Sequence, residues 1–314
     1  MAPPASPTLW DMRIAIVGLG RMGANMTRRL LRAGHEVVAH DLAPDAVAEM
    51  TAEGAIGAPS LAEVVANLDA PRHVWLMVPA GEPTEDAIRD AAAALESGDT
   101  IVDGGNSRYT DSVRRAEALS EKGIDFVDAG VSGGIWGLEN GFCLMVGGPE
   151  EACARLEPIF TALAPEGGYA RVGDSGAGHF VKMVHNGIEY ALMQAYGEGF
   201  SLLQASDFEL DLARIASLWT KGTVIRSWLL ELAARALEAD PKLSSVEGYV
   251  EDSGEGRWTV EEAIESGVPV PTIALSLFSR FASREDEAFS DKLIAALRKE
   301  FGGHEVRGPG ESGE

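Results

Sequence analysis

Cysteine and positive charge are both scarce in this chain, and long apolar runs are absent. Cys143 and Cys153 are the two cysteines among 314 residues, which excludes a disulfide framework and makes a cysteine-based zinc site unexpected. Such sparse cysteine fits a reducing compartment, so we expect a cytoplasmic protein. The formal charge of −23 argues against nucleic-acid binding, which needs a basic surface. No apolar run approaches the roughly 18 residues that span a bilayer, so no membrane segment is predicted.

What is present is the composition of an ordinary globular protein, with 46% apolar and 24% charged residues. A chain of 314 residues is long enough for two domains, each with its own core. Residues 1–11 lack the basic start and the apolar stretch of a signal peptide. We expect them to form a flexible extension before the first domain.

Short β-branched runs alternate with helix-like stretches in the first half of the chain. Strands are predicted over 12–18, 35–41, 73–78, 99–104, 124–130 and 142–148, and the first helix over 22–34. This alternation predicts a parallel sheet covered by helices on both faces.

From about residue 179 the pattern becomes helical, with few strand-like runs. Further helices are predicted over 214–218, 224–237, 259–266 and 285–301. Pro269 and Pro271 interrupt the chain between two of these segments. The second half therefore reads as an all-α helical domain.

A glycine-rich turn, GLGRMG at 18–23, follows the first predicted strand and opens the first helix. Gly18 permits the tight turn, Gly20 lets a pyrophosphate approach the backbone, and Gly23 allows close packing of helix on sheet. The helix N-terminus would hold the pyrophosphate. In this context the turn predicts a Rossmann-type dinucleotide site, although an ordinary strand–helix turn is the plainer alternative. The predicted cofactor-binding residues of the turn are Gly18, Leu19, Gly20, Arg21, Met22 and Gly23.

Asp41 ends the second predicted strand. A carboxylate there can accept hydrogen bonds from the adenosine ribose and would repel a 2′-phosphate. Asp41 therefore favours NAD over NADP. The alternative is a helix N-cap aspartate.

Four polar residues, Lys182, His185, Asn186 and Glu189, stand at i, i+3, i+4 and i+7 and share one helix face. The apolar residues around them predict a helix that is buried around much of its circumference: Phe180, Val181, Met183, Val184, Ile188, Leu192 and Met193. Burying polar side chains without a purpose is costly. A lysine in a partly dry pocket can lose its proton near neutrality and act as a base, with a carboxylate handling a second proton. Lys182 and Glu189 are the predicted pair; a simple intrahelical ion pair is the alternative.

Four motifs together resemble the 6-phosphogluconate dehydrogenases of the β-hydroxyacid dehydrogenase superfamily: GLGRMG, DGGNS at 103–107, DAGVSGG at 128–134 and GHFVKMVHNGIEY at 178–190. The resemblance implies oxidative decarboxylation of 6-phosphogluconate to ribulose 5-phosphate and CO2 with NAD and without a metal, in the pentose phosphate pathway. Hydroxyisobutyrate-type enzymes share the lysine but usually place two asparagines after it, where this chain has His185 and Asn186.

The resemblance also implies roles for individual residues. Lys182 would remove the C3 hydroxyl proton, and Glu189 would protonate C1 of the enediol. Val78 and Asn106 would join the cofactor site. The implied substrate-binding residues are Asn106, Ser132, Gly133, Gly134, His185, Asn186, Tyr190, Arg280, Arg298 and His304.

A C-terminal RxxFGxH-like stretch resembles a family tail that reaches into the neighbouring subunit. It implies a homodimer or dimer of dimers in which Arg298 and His304 complete the partner's site. One loop departs from the family pattern: DSGEGRWT at 252–259 lacks the family's substrate-binding lysine, and Arg257 is the nearest cation.

We therefore expect an α/β Rossmann-type domain followed by an all-α helical domain. The expected boundaries are an extension at 1–11, a dinucleotide-binding domain at 12–175, a helical substrate and dimerisation domain at 176–304 and a mobile tail at 305–314. Two other functions stay open: a dehydrogenase of a smaller β-hydroxyacid such as 3-hydroxyisobutyrate, without decarboxylation, and a nonenzymatic NAD-sensing or scaffold protein.

Overall fold

The computed structural model describes residues 12–302 and residue 305. The chain divides into two compact units, one ending at His185 and the other starting at Asn186. Eight strands lie in the first unit: β1 (Arg13–Val17), β2 (Glu36–His40), β3 (Ile56–Gly57), β4 (His73–Leu76), β5 (Thr100–Asp103), β6 (Asp125–Ser132), β7 (Cys143–Gly147) and β8 (Tyr169–Gly173).

Helices separate most of these strands, as the alternating pattern predicts. They are α1 (Arg21–Arg32), α2 (Pro44–Ala52), α3 (Leu61–Ala66), α4 (Glu82–Ala92), α5 (Tyr109–Ser120), a 3-10 turn (Gly134–Trp136), α6 (Gly137–Asn140), α7 (Glu150–Arg155) and α8 (Glu157–Leu163). The division between the two units falls inside α9 (Ala177–Gln204), which is one continuous helix.

The eight strands form one sheet in the order β3-β2-β1-β4-β5-β6-β7-β8. Its neighbouring strands are parallel except β6 and β7, which are antiparallel. The prediction of a parallel sheet is therefore wrong at this pair. The connection between β6 and β7, residues 133–142, is shorter than the dozen or more residues that a parallel crossover normally needs.

Apolar side chains cover both faces of this sheet. In β1, Ile14 and Ile16 belong to one core, whereas Ala15 and Val17 belong to a second core on the other face. Alternation of this kind follows from the two-residue period of a strand. A sheet buried on both faces is the Rossmann-type arrangement that the sequence predicts, and its parallel strands end together at one edge.

The second unit contains helices and no strand in its described part. Beyond α9 it contains α10 (Leu212–Trp219), α11 (Trp228–Ala239), α12 (Glu255–Glu265), α13 (Pro271–Ala282) and α14 (Phe289–Gly302). The predicted fold class is thus confirmed. Helix α13 was missed because Pro271 reads as an interruption, yet proline is well suited to the first turn of a helix, where it stands here. None of the described helices is long and apolar enough to cross a membrane.

Candidate active site

The glycine-rich turn has the geometry of a phosphate cradle. Gly18 has a φ of 94°, and a Cβ there would collide with the backbone carbonyl of Met77. A Cβ at Gly23 would collide with the carbonyl of Gly18, whereas the space around Gly20 is open. Helix α1 begins at Arg21 and has no side-chain cap at its N-cap residue, which leaves its first N–H groups suited to an anion. The turn therefore fits a dinucleotide pyrophosphate.

Asp41 is tied to this same turn. Its Oδ2 accepts a hydrogen bond from the Leu19 N–H at 2.6 Å, and its Oδ1 accepts one from the Ala43 N–H at 2.8 Å. The N-cap residue of α2 is Ala43, so Asp41 is not a helix N-cap and that alternative is wrong. Each carboxylate oxygen can accept a further hydrogen bond, which leaves Asp41 able to receive ribose hydroxyls.

A cleft of about 710 Å³ opens beside Asp41. Its lining residues are His40, Asp41, Leu42, Pro44, Val47, Ala48, Thr51, Ala52, Gly57 and Pro59. None of these ten is a lysine or an arginine, so a 2′-phosphate would meet the Asp41 carboxylate without a compensating cation from the lining. The cleft therefore fits the adenosine half of NAD better than that of NADP.

The DGGNS loop follows β5 and is held by a buried ion pair. Asp103 is fully buried; its Oδ2 accepts hydrogen bonds from Arg115 Nη1 at 2.8 Å and from Ser107 Oγ at 2.7 Å. Its Oδ1 accepts the Gly105 N–H at 3.0 Å. These bonds fix the loop that carries the exposed Asn106. Arg115 was missed, because an arginine within a helical pattern is ordinarily a solvent-exposed charge.

The DAGVSGG motif ends β6 and the turn after it. Ser132 is the last residue of the strand and is half-buried. Gly133 and Gly134 follow with φ values of 130° and 53°, a region of backbone conformation that favours glycine. The three predicted substrate-site residues of this motif therefore lie together at the end of one strand.

The polar face of α9 is the more buried one near Lys182. Lys182 and Asn186 are each 8% exposed, and His185 and Glu189 are half-buried. By contrast, three apolar residues on this helix lie at the surface, at 37%, 51% and 43% exposure: Val181, Ile188 and Leu192. The prediction that these three residues are buried is wrong. The buried side of the helix is the one that packs against the rest of the protein, whether or not its residues are apolar.

Tyr190 and Arg280, both predicted to bind substrate, are in contact in the second unit. The Arg280 guanidinium lies over the Tyr190 ring, 3.5 Å from its centre, and Nη1 donates to the Glu251 carbonyl at 2.7 Å. The Tyr190 hydroxyl accepts the Ser253 N–H at 3.2 Å, and Ser253 Oγ donates to Glu255 Oε2 at 2.5 Å. The sequence did not predict Ser253 or Glu255, the first residue of α12, although both lie in the shortened DSGEGRWT segment.

Arg257, the candidate replacement for the family lysine, is held by Asp252. Arg257 Nε and Nη2 donate to the two Asp252 oxygens at 2.7 and 3.0 Å, and Arg284 lies 3.2 Å from the same carboxylate. The hydrogen bond from Arg257 lowers the pKa of Asp252. Arg257, in the first turn of α12, therefore makes a bidentate pair with a carboxylate just before that helix.

Of the two residues predicted in the tail motif, the structure describes one. Arg298 lies on α14 and is exposed. His304 lies outside the described residues, as do residues 1–11 and most of the predicted tail at 305–314.

Val78, a predicted cofactor-site residue, is half-buried and follows β4. Its side chain lies 3.2 Å from the position that a Cβ on Gly18 would take, so it is beside the cofactor turn.

Comparisons with known proteins cover both halves of the chain. Residues 13–173 match the model for the NAD binding domain of 6-phosphogluconate dehydrogenase, and residues 178–306 match the model for the C-terminal domain of the same enzyme. The chain is 51% identical over 298 residues to the NAD(+)-dependent, decarboxylating 6-phosphogluconate dehydrogenase of Haloferax volcanii, covering 94% of this chain and 98% of the relative.

Two solved structures are similar over most of this chain. The 6-phosphogluconate dehydrogenase of Plasmodium falciparum superposes with a TM-score of 0.80 at 28% identity, covering 96% of this chain and 67% of the other. The 3-hydroxyisobutyrate dehydrogenase of Salmonella typhimurium gives a TM-score of 0.72 at 26% identity, covering 85% of this chain and 92% of the other. Because both family models and a relative of nearly equal length match, the chain belongs to the 6-phosphogluconate dehydrogenase family.

Proposed function

We propose that this protein oxidises and decarboxylates 6-phosphogluconate to ribulose 5-phosphate and CO2 with NAD as the hydride acceptor. The observation that carries the proposal is the polar face of α9, on which a buried Lys182 stands seven residues before Glu189. The name of the Haloferax volcanii relative, which aligns over nearly its whole length, supports the same reaction and the same cofactor.

Lys182 and Glu189 divide the proton transfers between them. Lys182 takes the proton of the C3 hydroxyl, and bound NAD supplies the acceptor for the hydride that leaves C3. The protonated Lys182 then donates to the oxygen of the new C3 carbonyl. The electrons of the bond to the carboxylate move toward that carbonyl as CO2 leaves, which yields an enediol. Glu189 protonates the carbon that lost the carboxylate, which becomes C1 of ribulose 5-phosphate, while the hydroxyl on the neighbouring carbon returns its proton to Lys182 and becomes the C2 carbonyl.

The remaining predicted residues hold the two ligands. The turn at 18–23, Asp41, Val78 and Asn106 bind NAD. Asn106 also contacts the sugar acid. The other residues assigned to the sugar acid and its phosphate are Ser132, Gly133, Gly134, His185, Asn186, Tyr190 and Arg280. The Tyr190–Arg280 contact supports a phosphate site there, because arginine binds phosphate through a planar array of donors.

The finer assembly is also part of the proposal. Five large apolar side chains on α13 and α14 are more than half exposed: Leu275, Phe278, Phe289, Ile294 and Leu297. Exposed apolar residues on successive helices support association. We infer a cytoplasmic homodimer or dimer of dimers in which Arg298 and His304 complete the neighbouring site. The dinucleotide domain spans 12–175 and the helical domain 176–304.

Substrate discrimination tests this proposal. Initial rates of NAD reduction are measured with 6-phosphogluconate, gluconate and 3-hydroxyisobutyrate at equal concentrations. We expect 6-phosphogluconate to be turned over at least about a hundredfold faster, because a site built for a phosphate leaves buried polar groups unpaired without one. Faster turnover of 3-hydroxyisobutyrate would support the smaller β-hydroxyacid reaction instead, and no turnover of any of them would support a nonenzymatic role.

A further inference from the structure

Asp128 is a buried carboxylate that holds the start of helix α9. It lies in β6 between β5 and β7 and is fully buried. Its Oδ1 accepts the Gly176 N–H at 2.5 Å, and its Oδ2 accepts the His179 N–H at 2.7 Å. The first N–H groups of a helix lack partners within the helix, and a negative charge there also complements the helix dipole. Asp128 thus fastens the first turn of α9 to the sheet.

Gly130 brings the same helix into contact with the same strand. It stands two residues after Asp128, so both residues face the same side of the sheet. A Cβ on Gly130 would collide with the Lys182 Cβ and would lie 2.8 Å from the Gly178 carbonyl oxygen. A Cβ on Gly178 would lie 2.5 Å from the Asp128 carbonyl oxygen. Helix and strand therefore approach so closely that glycine is needed on both sides.

From these contacts we propose that Asp128 and Gly130 are positioning residues that set the place of Lys182. Asp128 holds the first turn of α9 in place. Gly130 sets how closely α9 approaches β6 at Lys182, one turn further along the helix. This inference rests on the proposed role of Lys182 as the base. Displacing a reacting group by about 1 Å can slow a reaction by a factor of about 100.

A second contact should keep α9 in place when the Asp128 carboxylate is removed. The His179 ring Nδ1 lies 2.7 Å from Ser112 Oγ, which ties α9 to α5 independently of Asp128. Asp99 provides a matched control. It is 1% exposed, and its two oxygens accept the N–H groups of Arg72 and Glu96 at 2.7 and 2.8 Å, before β5 begins. Losing either carboxylate breaks two backbone hydrogen bonds, and losing Asp99 also breaks its ion pair with Arg72 Nη1; of the two aspartates, Asp128 is the one bonded to the start of α9.

The first experiment is a double-mutant cycle of Asp128→Ala with Lys182→Ala, followed by kcat with 6-phosphogluconate and NAD. We expect Asp128→Ala to lower kcat at least about thirtyfold when Lys182 is present and less than about threefold when it is absent, with KM for NAD within about twofold of wild type. Asp99→Ala should lower kcat less than threefold. Equal factors for Asp128→Ala in both backgrounds would overturn the proposal, because a general structural defect acts independently of Lys182.

The second experiment does not depend on turnover, so it separates this inference from the proposed function. The rate at which acetic anhydride labels Lys182 is measured by mass spectrometry in wild type, Asp128→Ala, Gly130→Ala and the controls Asp99→Ala and Gly168→Ala. The three atoms nearest to a Cβ on Gly168 all belong to Pro165. We expect the labelling of Lys182 to change at least about threefold in both β6 variants and in neither control. Wild-type labelling rates in the folded Gly130→Ala variant would overturn the proposal even if Asp128→Ala did not fold.

Discussion

The Arg280 guanidinium lies over the Tyr190 ring, with its central carbon 3.5 Å from the ring centre. Tyr190 is 5% exposed, so this contact is largely desolvated on the tyrosine side. The Glu251 carbonyl accepts a hydrogen bond from the same guanidinium at 2.7 Å. The two residues that we propose for the substrate phosphate are thus in contact with each other.

Replacing Arg280 by lysine should weaken substrate binding selectively. Lysine keeps the charge but loses the planar group that stacks on Tyr190 and donates to Glu251. We expect the KM for 6-phosphogluconate to rise about tenfold while the KM for NAD stays within about twofold. The control is Arg214→Lys, at an exposed arginine on α10. An unchanged KM for 6-phosphogluconate in Arg280→Lys would contradict the assignment.

Cofactor preference should reverse when the charge beside the adenosine cleft is reversed. Leu42 lines this cleft and is 95% exposed, so an arginine fits there without repacking. In Asp41→Ser/Leu42→Arg we expect the NADP-to-NAD ratio of kcat/KM to rise at least about a hundredfold, since a repulsive charge is replaced by an attractive one. Asp45→Ser removes an exposed charge outside the cleft lining and should leave the ratio unchanged. A wild-type enzyme that already prefers NADP would refute the role of Asp41.

Two neighbouring arginines should differ greatly in their contribution to stability. The Arg115 side chain is 2% exposed and pairs with the buried Asp103, whereas the Arg114 side chain is 57% exposed and pairs with Glu85. Arg115→Met leaves a buried charge uncompensated and should lower the free energy of unfolding by about 3–5 kcal/mol. Arg114→Met should lower it by less than about 1 kcal/mol. Urea unfolding measures both, and equal losses would show that Asp103 does not depend on Arg115.

Stability should fall in mild acid because of His73. Burial, with a contribution from Arg155, lowers the pKa of His73 to about 4 from 6.5. At neutral pH the ring is uncharged in both states; below pH 6.5 the unfolded chain takes up the proton first, so stability is lost as pH falls toward 4. One pKa unit is about 1.4 kcal/mol, so the loss should be roughly 3 kcal/mol.

His73→Gln is the matched variant for this pH dependence. It removes the titrating ring and leaves the buried carboxylates unchanged, so their contributions cancel in the comparison. Urea unfolding at pH 7, 5.5 and 4.5 should show a steeper decline in wild type than in His73→Gln. Parallel declines would mean that His73 is not the group responsible.

Most of the fold could be predicted because local patterns agree with tertiary packing. Strands β1, β2 and β4–β7 are rich in apolar residues that fill two cores, and the turn at 18–23 requires glycine for steric reasons. The edge strands β3 and β8 were missed. β3 has two exposed residues and β8 is largely exposed, so neither gives an apolar run.

The candidate site was only partly predictable, since spacing identifies a helix face and not what that face contacts. Lys182 and Asn186 prove to be buried, but the apolar Ile188 on the same helix is half exposed. Hydrogen bonds from residues that are distant in sequence leave no local sequence pattern that would reveal them. Asp128 is hydrogen-bonded to Gly176, and Ser253 to Tyr190, although the two residues of each pair are far apart in the sequence.

Hydride transfer and decarboxylation should occur in one reaction with NAD. The direct measurement is the stoichiometry of NADH formed to CO2 released when purified protein turns over 6-phosphogluconate labelled with ¹³C at C1. We expect one labelled CO2 for each NADH, with ribulose 5-phosphate as the product. NADH formation without labelled CO2 would contradict it.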